Sequence, residues 1–329
     1  MAILVCGGAG YIGSHVVKLL IENNEEVVVV DNLETGHVDA VDEKARLELG
    51  DLKDEEFLDR VFTKHKIEGV IDFAAFSLVG ESVTEPLKYF ENNFYGTLCL
   101  LKAMKKNNVN NIVFSSTAAT YGEAENIPIL ETDKTEPTNP YGESKLAVEK
   151  MFKWAANAYG LKYTVLRYFN VAGAHHTGEI GEAHSCETHL IPIILQVALG
   201  QREKISIYGD DYPTEDGTCI RDYIHVMDLA DAHLLALKRL KNGGDNQIFN
   251  LGNGEGFSVK QVIETVRKIT KHPIPIEISP RRAGDPAILV ASSEKANQLL
   301  KWKPKYNKLE QIIESAWNWH KKNPNGYED

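Results

Sequence analysis

The apolar run Ile3-Leu4-Val5-Cys6 breaks into Gly7-Gly8-Ala9-Gly10-Tyr11-Ile12-Gly13 and then continues in a helical pattern. A strand that turns through glycines straight into a helix constrains the fold more than any other segment of this chain. Gly7 suits the tight turn, Gly10 lets backbone amides approach a pyrophosphate, and Gly13 lets the helix pack closely on the strand. The anion would then rest on the helix N-terminus. The spacing is GxxGxxG rather than GxGxxG, so context has to decide it. A second run, Val27-Val28-Val29-Val30, ends in Asp31, at about the 20-residue offset where a carboxylate accepts hydrogen bonds from the adenosine ribose. That carboxylate would repel a 2′-phosphate, and Asn32 and Leu33 follow it where arginine would serve NADP. The cradle therefore reads as one for NAD.

Strand-like runs at residues 3–6, 27–31, 46–49, 70–73, 112–115 and 163–167 alternate with helical patterns at 12–22, 55–65, 92–107 and 141–159. This alternation predicts an α/β fold, a Rossmann-like doubly wound parallel sheet covered on both faces. Ligands in such sheets bind beyond the carboxyl ends of the strands, where Asp31 and Ser115-Ser116-Thr117 both fall. After Asn170 the pattern changes to shorter helices and turn-rich loops such as Asp210-Asp211-Tyr212-Pro213. The expected division is an NAD-binding domain over 1–170 and a smaller α/β substrate domain over 171–329, with segments free to interleave.

Composition narrows the function classes. Of 329 residues 43% are hydrophobic, enough for a substantial core, and the formal net charge of −11 argues against nucleic acid or an anionic membrane as partner. No apolar run approaches the roughly 18 residues that a membrane span needs, and no leader is expected. Cys6, Cys99, Cys186 and Cys219 are far apart and form no CxxC pair. They read as reduced thiols, with Cys6 a small residue ending a buried strand, and the expected location is cytoplasmic. His175, His176, Glu179, Glu182, His184 and His189 crowd one stretch, but the spacing fits no zinc helix and no metal is expected.

Tyr141 and Lys145 stand four apart on a predicted helix, so their side chains share a face. A free phenol has a pKa of about 10, and lowering it by three units takes roughly 4 kcal/mol of preference for the phenolate. A cation at about 4 Å supplies an interaction of that order at an effective dielectric of 20. Thr117, at a strand end, offers a hydroxyl to hold a substrate oxygen beside Tyr141.

These residues resemble the extended short-chain dehydrogenase/reductase family, and within it the sugar-nucleotide 4-epimerases. The likeness is carried by the segment from Gly7 to His15, Val79-Gly80-Glu81-Ser82, Tyr141-Gly142-Glu143-Ser144-Lys145, Leu166-Arg167-Tyr168-Phe169-Asn170, Tyr212 to Gly217, Arg221-Asp222-Tyr223-Ile224-His225 and Arg281-Arg282-Ala283-Gly284-Asp285. It implies NAD-dependent interconversion of UDP-glucose and UDP-galactose, with Tyr141, Lys145 and Thr117 catalytic. By the same resemblance Tyr11, Ile12, Asp31, Asn32, Thr35 and Gly36 would hold the pyrophosphate and adenosine half of NAD. Asp51 and Leu52 would meet the adenine, Phe73, Ala74, Ala75 and Asn92 would line the middle, and Tyr141, Lys145 and Phe169 would face the nicotinamide. Asn170, Leu190, Ser206, Tyr208, Arg221, Arg282 and Asp285 match positions that hold the uridine diphosphate of the UDP-sugar. Guanidinium groups suit phosphate in an otherwise acidic chain. The helices near 92–106 and 141–159 would pair across a homodimer.

Four positions depart from the family pattern. Cys6 stands for a usual threonine, Thr117 for a common serine, Ser77 for a lysine of some members, and His189 for a substrate-binding asparagine. Leu289 falls where a bulky tyrosine excludes a 2-acetamido group, which implies some activity on UDP-N-acetylglucosamine. A 4,6-dehydratase would carry an Asp-Glu pair where this chain has Ala118-Ala119. A cofactor-sensing regulator without catalysis would have no need of Thr117, Tyr141 and Lys145 together.

Overall fold

A computed structural model of the chain describes residues 1–282 and 285–328. The apolar runs become β1 (Ala2–Cys6), β2 (Glu26–Asp31), β3 (Arg46–Leu49), β4 (Ile67–Asp72), β5 (Asn111–Thr117) and β6 (Lys162–Tyr168). Between them lie α1 (Tyr11–Glu22), α2 (Glu55–Lys64), α3 (Val79–Thr84), α4 (Pro86–Tyr89), α5 (Gly96–Lys106) and α6 (Pro140–Tyr159). Then follow β7 (Asn170–Ala172), α7 (Leu190–Ala198), β8 (Ile205–Tyr208), β9 (Ile220–His225), α8 (Val226–Lys241) and β10 (Gln247–Leu251). The chain closes with β11 (Gly256–Ser258), α9 (Val259–Thr270), β12 (Ile276–Ser279), β13 (Ile288–Leu289), α10 (Glu294–Leu299) and α11 (Leu309–Lys322).

The main sheet has seven strands, all parallel, in the order β10-β6-β5-β4-β1-β2-β3. The chain winds outward from β1 to β3, returns, and winds outward again from β4, so the switch point lies between β1 and β4. The fold is the expected Rossmann-like one. Successive strand residues face opposite sides, so Leu4, Val28, Val70 and Phe114 pack under α2, α5 and α6, while Ile3, Val5, Val29 and Leu166 pack under α1 and α8. A third core joins α7, α9 and α11 through Ile194, Leu195, Val266 and Ile313. Each such side chain contributes about 1.5–3 kcal/mol when fully buried.

Two differences from the sequence reading have physical causes. The seventh strand, β10, comes from beyond residue 170, and Asn250 toward its end breaks the apolar run. Asn250 is buried there because its carboxamide accepts from the Tyr121 hydroxyl at 2.7 Å and donates to the Ile129 carbonyl at 3.0 Å. The expected helix over 92–107 is instead a π-helical turn, Phe90–Tyr95, running into α5. That wider turn goes with a buried Asn93, which accepts from Phe76 N at 2.9 Å and donates to Phe76 O at 3.0 Å. Beyond residue 170 the expected α/β character takes the form of short strands: β9 pairs with β7 and β13 in parallel and with β11 antiparallel, and β8 pairs with β12.

Helix α6 positions the chemistry and is fastened at both ends. The Asn139 side chain caps it by accepting from Gly142 N, Pro140 opens it, and Gly160 ends it at φ 77°. Gly142 is required by close approach, since a Cβ there would lie 2.5 Å from Ala119 O. Deeper in the protein Glu149 on α6 is buried against Arg167 on β6, whose Nε donates to Oε1 at 3.0 Å, and Ser116 Oγ donates to the same oxygen at 2.6 Å. Removing one partner leaves an unmatched buried charge. Arg167→Met is therefore expected to cost about 3–5 kcal/mol in urea unfolding, and adding Glu149→Leu to recover most of it.

Candidate active site

A cavity of about 370 Å³ runs along the carboxyl ends of the strands, from the glycine turn to α6. Gly7, Gly10, Tyr11, Ile12 and Gly13 line it at one end, with Asp31, Asn32, Thr35, Asp51 and Leu52 beside them. Phe73, Ala74, Ala75 and Asn92 line the middle, and Thr117, Tyr141, Lys145, Phe169, Asn170 and Leu190 the far end. Gly36 is not on the wall; it packs on Ala9, where a Cβ would come within 2.9 Å.

The turn fits a dinucleotide. Gly7 has φ 72° and backs onto β4's exit, where a Cβ would lie 2.8 Å from Ala74 N, and a Cβ on Gly13 would overlap the Gly7 carbonyl oxygen. Helix α1 begins at Gly10 with no side-chain cap and no acidic residue in its first turn, so its N-terminus faces the cavity unneutralised. The Asp31 carboxylate accepts from Ala9 N and Leu33 N, both at 2.9 Å, which fixes its orientation at the rim.

At the other end burial dominates. It pushes the Tyr141 phenol above its ordinary value, opposed by a hydrogen bond with Thr117. The lowering by Lys145 expected from helical spacing is not expressed in this arrangement. The Lys145 ammonium donates to Ser115 O at 2.9 Å and lies 4.7 Å from the centre of the Phe114 ring. Burial lowers Lys145 to about 8, with the Asp72 and Glu149 carboxylates opposing. Sequence reasoning placed Ser115 at the rim but gave no site role to it or to Tyr168; both line the wall, and their hydroxyls hydrogen-bond to each other. The signal was available: Ser115 shares a strand face with Thr117, and Tyr168 is opposite Thr117 in the β5–β6 register.

Ser206, Tyr208, Arg221, Arg282, Asp285 and Leu289 lie off the cavity wall. They gather around β9, β13 and β8. Arg221 Nη2 pairs with Asp285 at 2.6 Å, Leu289 is opposite Arg221 in the strand register, and the Arg282 guanidinium sits 4.0 Å over the Tyr208 ring. Ala283 and Gly284 of the same segment lie outside the described residues. Leu289 packs in a small cluster with Phe169, which does line the cavity.

Residues 3–252 match the model of a family described as the NAD dependent epimerase/dehydratase family. The chain belongs to that family. NAD is its cofactor. The chain is 63% identical over 327 residues to a UDP-glucose 4-epimerase of Halalkalibacterium halodurans, covering 99% of this chain and 98% of that protein. It is similar to a crystal structure of a UDP-glucose 4-epimerase at a TM-score of 0.99 and 60% identity, with 100% of each chain covered. It is also similar to the UDP-glucose 4-epimerase of Bifidobacterium longum in complex with NAD+ and UDP, at a TM-score of 0.93 and 40% identity over 99% of this chain and 100% of that one. Among the described residues no helix is long and apolar enough to cross a membrane.

The histidine-rich stretch of this epimerase/dehydratase family member splits in two. The His175 and His176 rings lie 4.2 Å apart, and Glu179 pairs with Lys18 at 3.4 Å, away from the rest. Glu182, His184 and His189 come together on the cavity wall with Glu187, their side-chain N and O atoms within 4.8 Å. His189 Nδ1 is 2.7 Å from Glu182 Oε1. Burial alone would push this imidazolium down, but the Glu182 and Glu187 carboxylates outweigh it and raise it to about 10. A base whose folded-state pKa is raised stabilises fully below its unfolded value, near 6.5, and loses that contribution as pH rises through about 10. The stability gap between the parent and His189→Asn, read from urea midpoints, should therefore be widest near pH 6 and narrow above pH 10.

Proposed function

We infer that this chain interconverts UDP-glucose and UDP-galactose, an NAD-dependent inversion at sugar C4, with Tyr141, Lys145 and Thr117 handling the proton. One observation carries the reading: the glycine turn with Asp31 and the Thr117–Tyr141–Lys145 group line the same cavity. When bound, NAD supplies the acceptor and then the donor of the hydride at C4. Tyr141 as phenolate takes the proton of the sugar 4-hydroxyl, and Thr117 holds the oxygen through that transfer. In the loaded enzyme Lys145 favours the phenolate by charge, an influence the arrangement described above does not express. Tyr141 returns the proton once the 4-keto sugar has turned over and been reduced on its other face.

For that turn the sugar must stay tethered. Arg221, Arg282, Asp285, Ser206 and Tyr208 suit the uridine diphosphate because they group two guanidiniums off the cavity wall, while Asn170 and Leu190 line that wall. The cavity residues from Gly7 to Asn92, with Gly36 behind them and Phe169 opposite, are the proposed NAD contacts. In this reading residues 1–170, with β10 as a borrowed edge strand, form the cofactor-binding part, and the rest serves the UDP-sugar. A homodimer through α5 and α6 is supported by Trp154 on α6, which is 73% exposed. The four free cysteines suit a cytoplasmic location.

Two measurements test this. With NAD-loaded protein and UDP-galactose, Tyr141→Phe is expected to lower kcat by about a hundred- to ten-thousandfold while NAD stays bound; near-normal turnover would remove Tyr141 as the base. A side activity on UDP-N-acetylglucosamine is supported by Leu289 packing beside Phe169 without a phenol's bulk. Leu289→Tyr should then shift the kcat/KM ratio of the two UDP-sugars against the N-acetyl one by about 1–3 kcal/mol. An unchanged ratio would place the discrimination elsewhere.

A further inference from the structure

Asp72 is a carboxylate that the reaction as read above does not use, and it is 1% exposed. It ends β4, a strand otherwise apolar at that end, and stands opposite Phe114 in the β4–β5 register. Lys145 arrives at the same place from α6. Its ammonium donates to Ser115 O, the residue after Phe114, and lies over the Phe114 ring. Two opposite charges thus lie near the carboxyl end of one strand pair without a direct ion pair, each acting on the other through the interior.

The remaining partners of Asp72 are neutral: Ala74 N donates to it at 3.1 Å, and the Thr97 hydroxyl, which shares its one proton with the Asn93 carbonyl at 2.8 Å, lies 3.2 Å away. The other titratable groups packed around the pair leave Lys145 no better counter-ion. Glu149, one turn further on α6, is matched on the spot by Arg167 of β6. The Cys6 thiol of β1 and the Tyr168 phenol of β6 are both pushed up by burial and so are uncharged at neutral pH. Asp31 of β2 acts on Cys6 and is turned toward Ala9 and Leu33. From α5 the near group is the Thr97 hydroxyl, and Tyr141 itself is a phenol pushed up by burial.

We propose that Asp72 is the counter-charge that keeps Lys145 an ammonium in its buried seat, and is thereby a positioning residue for the Tyr141–Lys145 pair. The proposal rests on reading Tyr141 as the base. Burial brings Lys145 down to about 8 even with Asp72 in place, so losing that carboxylate lowers it further and leaves more neutral amine at pH 7. In the NAD-loaded enzyme with sugar bound, where Lys145 is read as favouring the phenolate, Tyr141 then lacks that cation and needs a higher pH to ionise. Asp72 is itself raised to about 6 by burial, with Lys145, Ala74 N and Thr97 opposing, and is ionised in the working range.

The test uses the NAD-loaded holoenzyme and UDP-galactose over pH 5.5 to 10, comparing the parent with Asp72→Asn and Asp72→Glu. It is paired with phenolate absorbance of Tyr141, taken as the difference from Tyr141→Phe. Asp72→Asn should move the acid limb of kcat/KM and the phenolate titration up together by about one pH unit, a roughly tenfold loss at pH 7 that is recovered at alkaline pH. Asp72→Glu, which keeps the charge, should hold both near the parent. A limb and a phenolate titration that stay where they were in Asp72→Asn overturn the proposal, whatever happens to stability. If Asp72→Asn does not fold, Asp72→Ser removes the same charge with a smaller side chain and should shift both curves in the same direction, and no shift there overturns the proposal as well. An active Tyr141→Phe enzyme would instead count against the base, a result distinct from an inactive Tyr141→Phe with unmoved curves.

Discussion

Backbone closeness at the rim of the parallel sheet is the constraint on which the rest depends. The β1–α1 turn presses against the exit of β4 so tightly that Gly7 and Gly13 leave no room for a Cβ. On the other side of the switch point, Gly142 lets α6 settle on Ala119, just past the strand that ends in Thr117. These two close approaches set the ends of a single cavity. A side chain at any of the three glycines would push a helix off the sheet, and the anion-facing helix N-terminus or the Tyr141 phenol would move with it.

The sheet is covered on both faces by apolar side chains, so polar chemistry is confined to the strand ends. There it meets a dry interior in which charge must be matched locally. Glu149 and Arg167 meet that requirement as a directly bonded pair, and the buried Glu182 carboxylate on the cavity wall does so through His189. Tyr141 and Lys145 are matched less completely. Burial raises the phenol and lowers the ammonium, which opposes the ionised forms that proton transfer uses. The site is thus held near a balance that a single nearby charge can tip, and Asp72 at the end of β4 supplies one.

The sequence by itself determined the elements whose signal is local. The glycine turn, the four-valine strand ending in Asp31, and the Tyr141–Lys145 spacing each need only neighbours along the chain, and each stands where its pattern said. The parallel sheet followed from alternation, because strands buried on both faces must read as continuous apolar runs. The positions expected to hold NAD line one cavity, with Gly36 alone among them standing behind the wall.

Tertiary structure decided what depends on partners distant in sequence. β10 reads as a poor strand because Asn250 interrupts it, and only Tyr121 and Ile129, more than a hundred residues away, make that amide a good buried residue. Asn93 widens a helical turn because Phe76 offers it both a donor and an acceptor. The crowd of histidines and glutamates sorted itself by folding, His189 toward two carboxylates and His175 toward His176, which spacing along a loop could not foretell. Helical spacing put Tyr141 and Lys145 on one face but was silent on how far burial would raise one group and lower the other. Nor did it show that a strand-ending aspartate would be the charge Lys145 meets, because the dielectric around a group and the identity of its counter-ion are properties of packing, not of the chain that carries it.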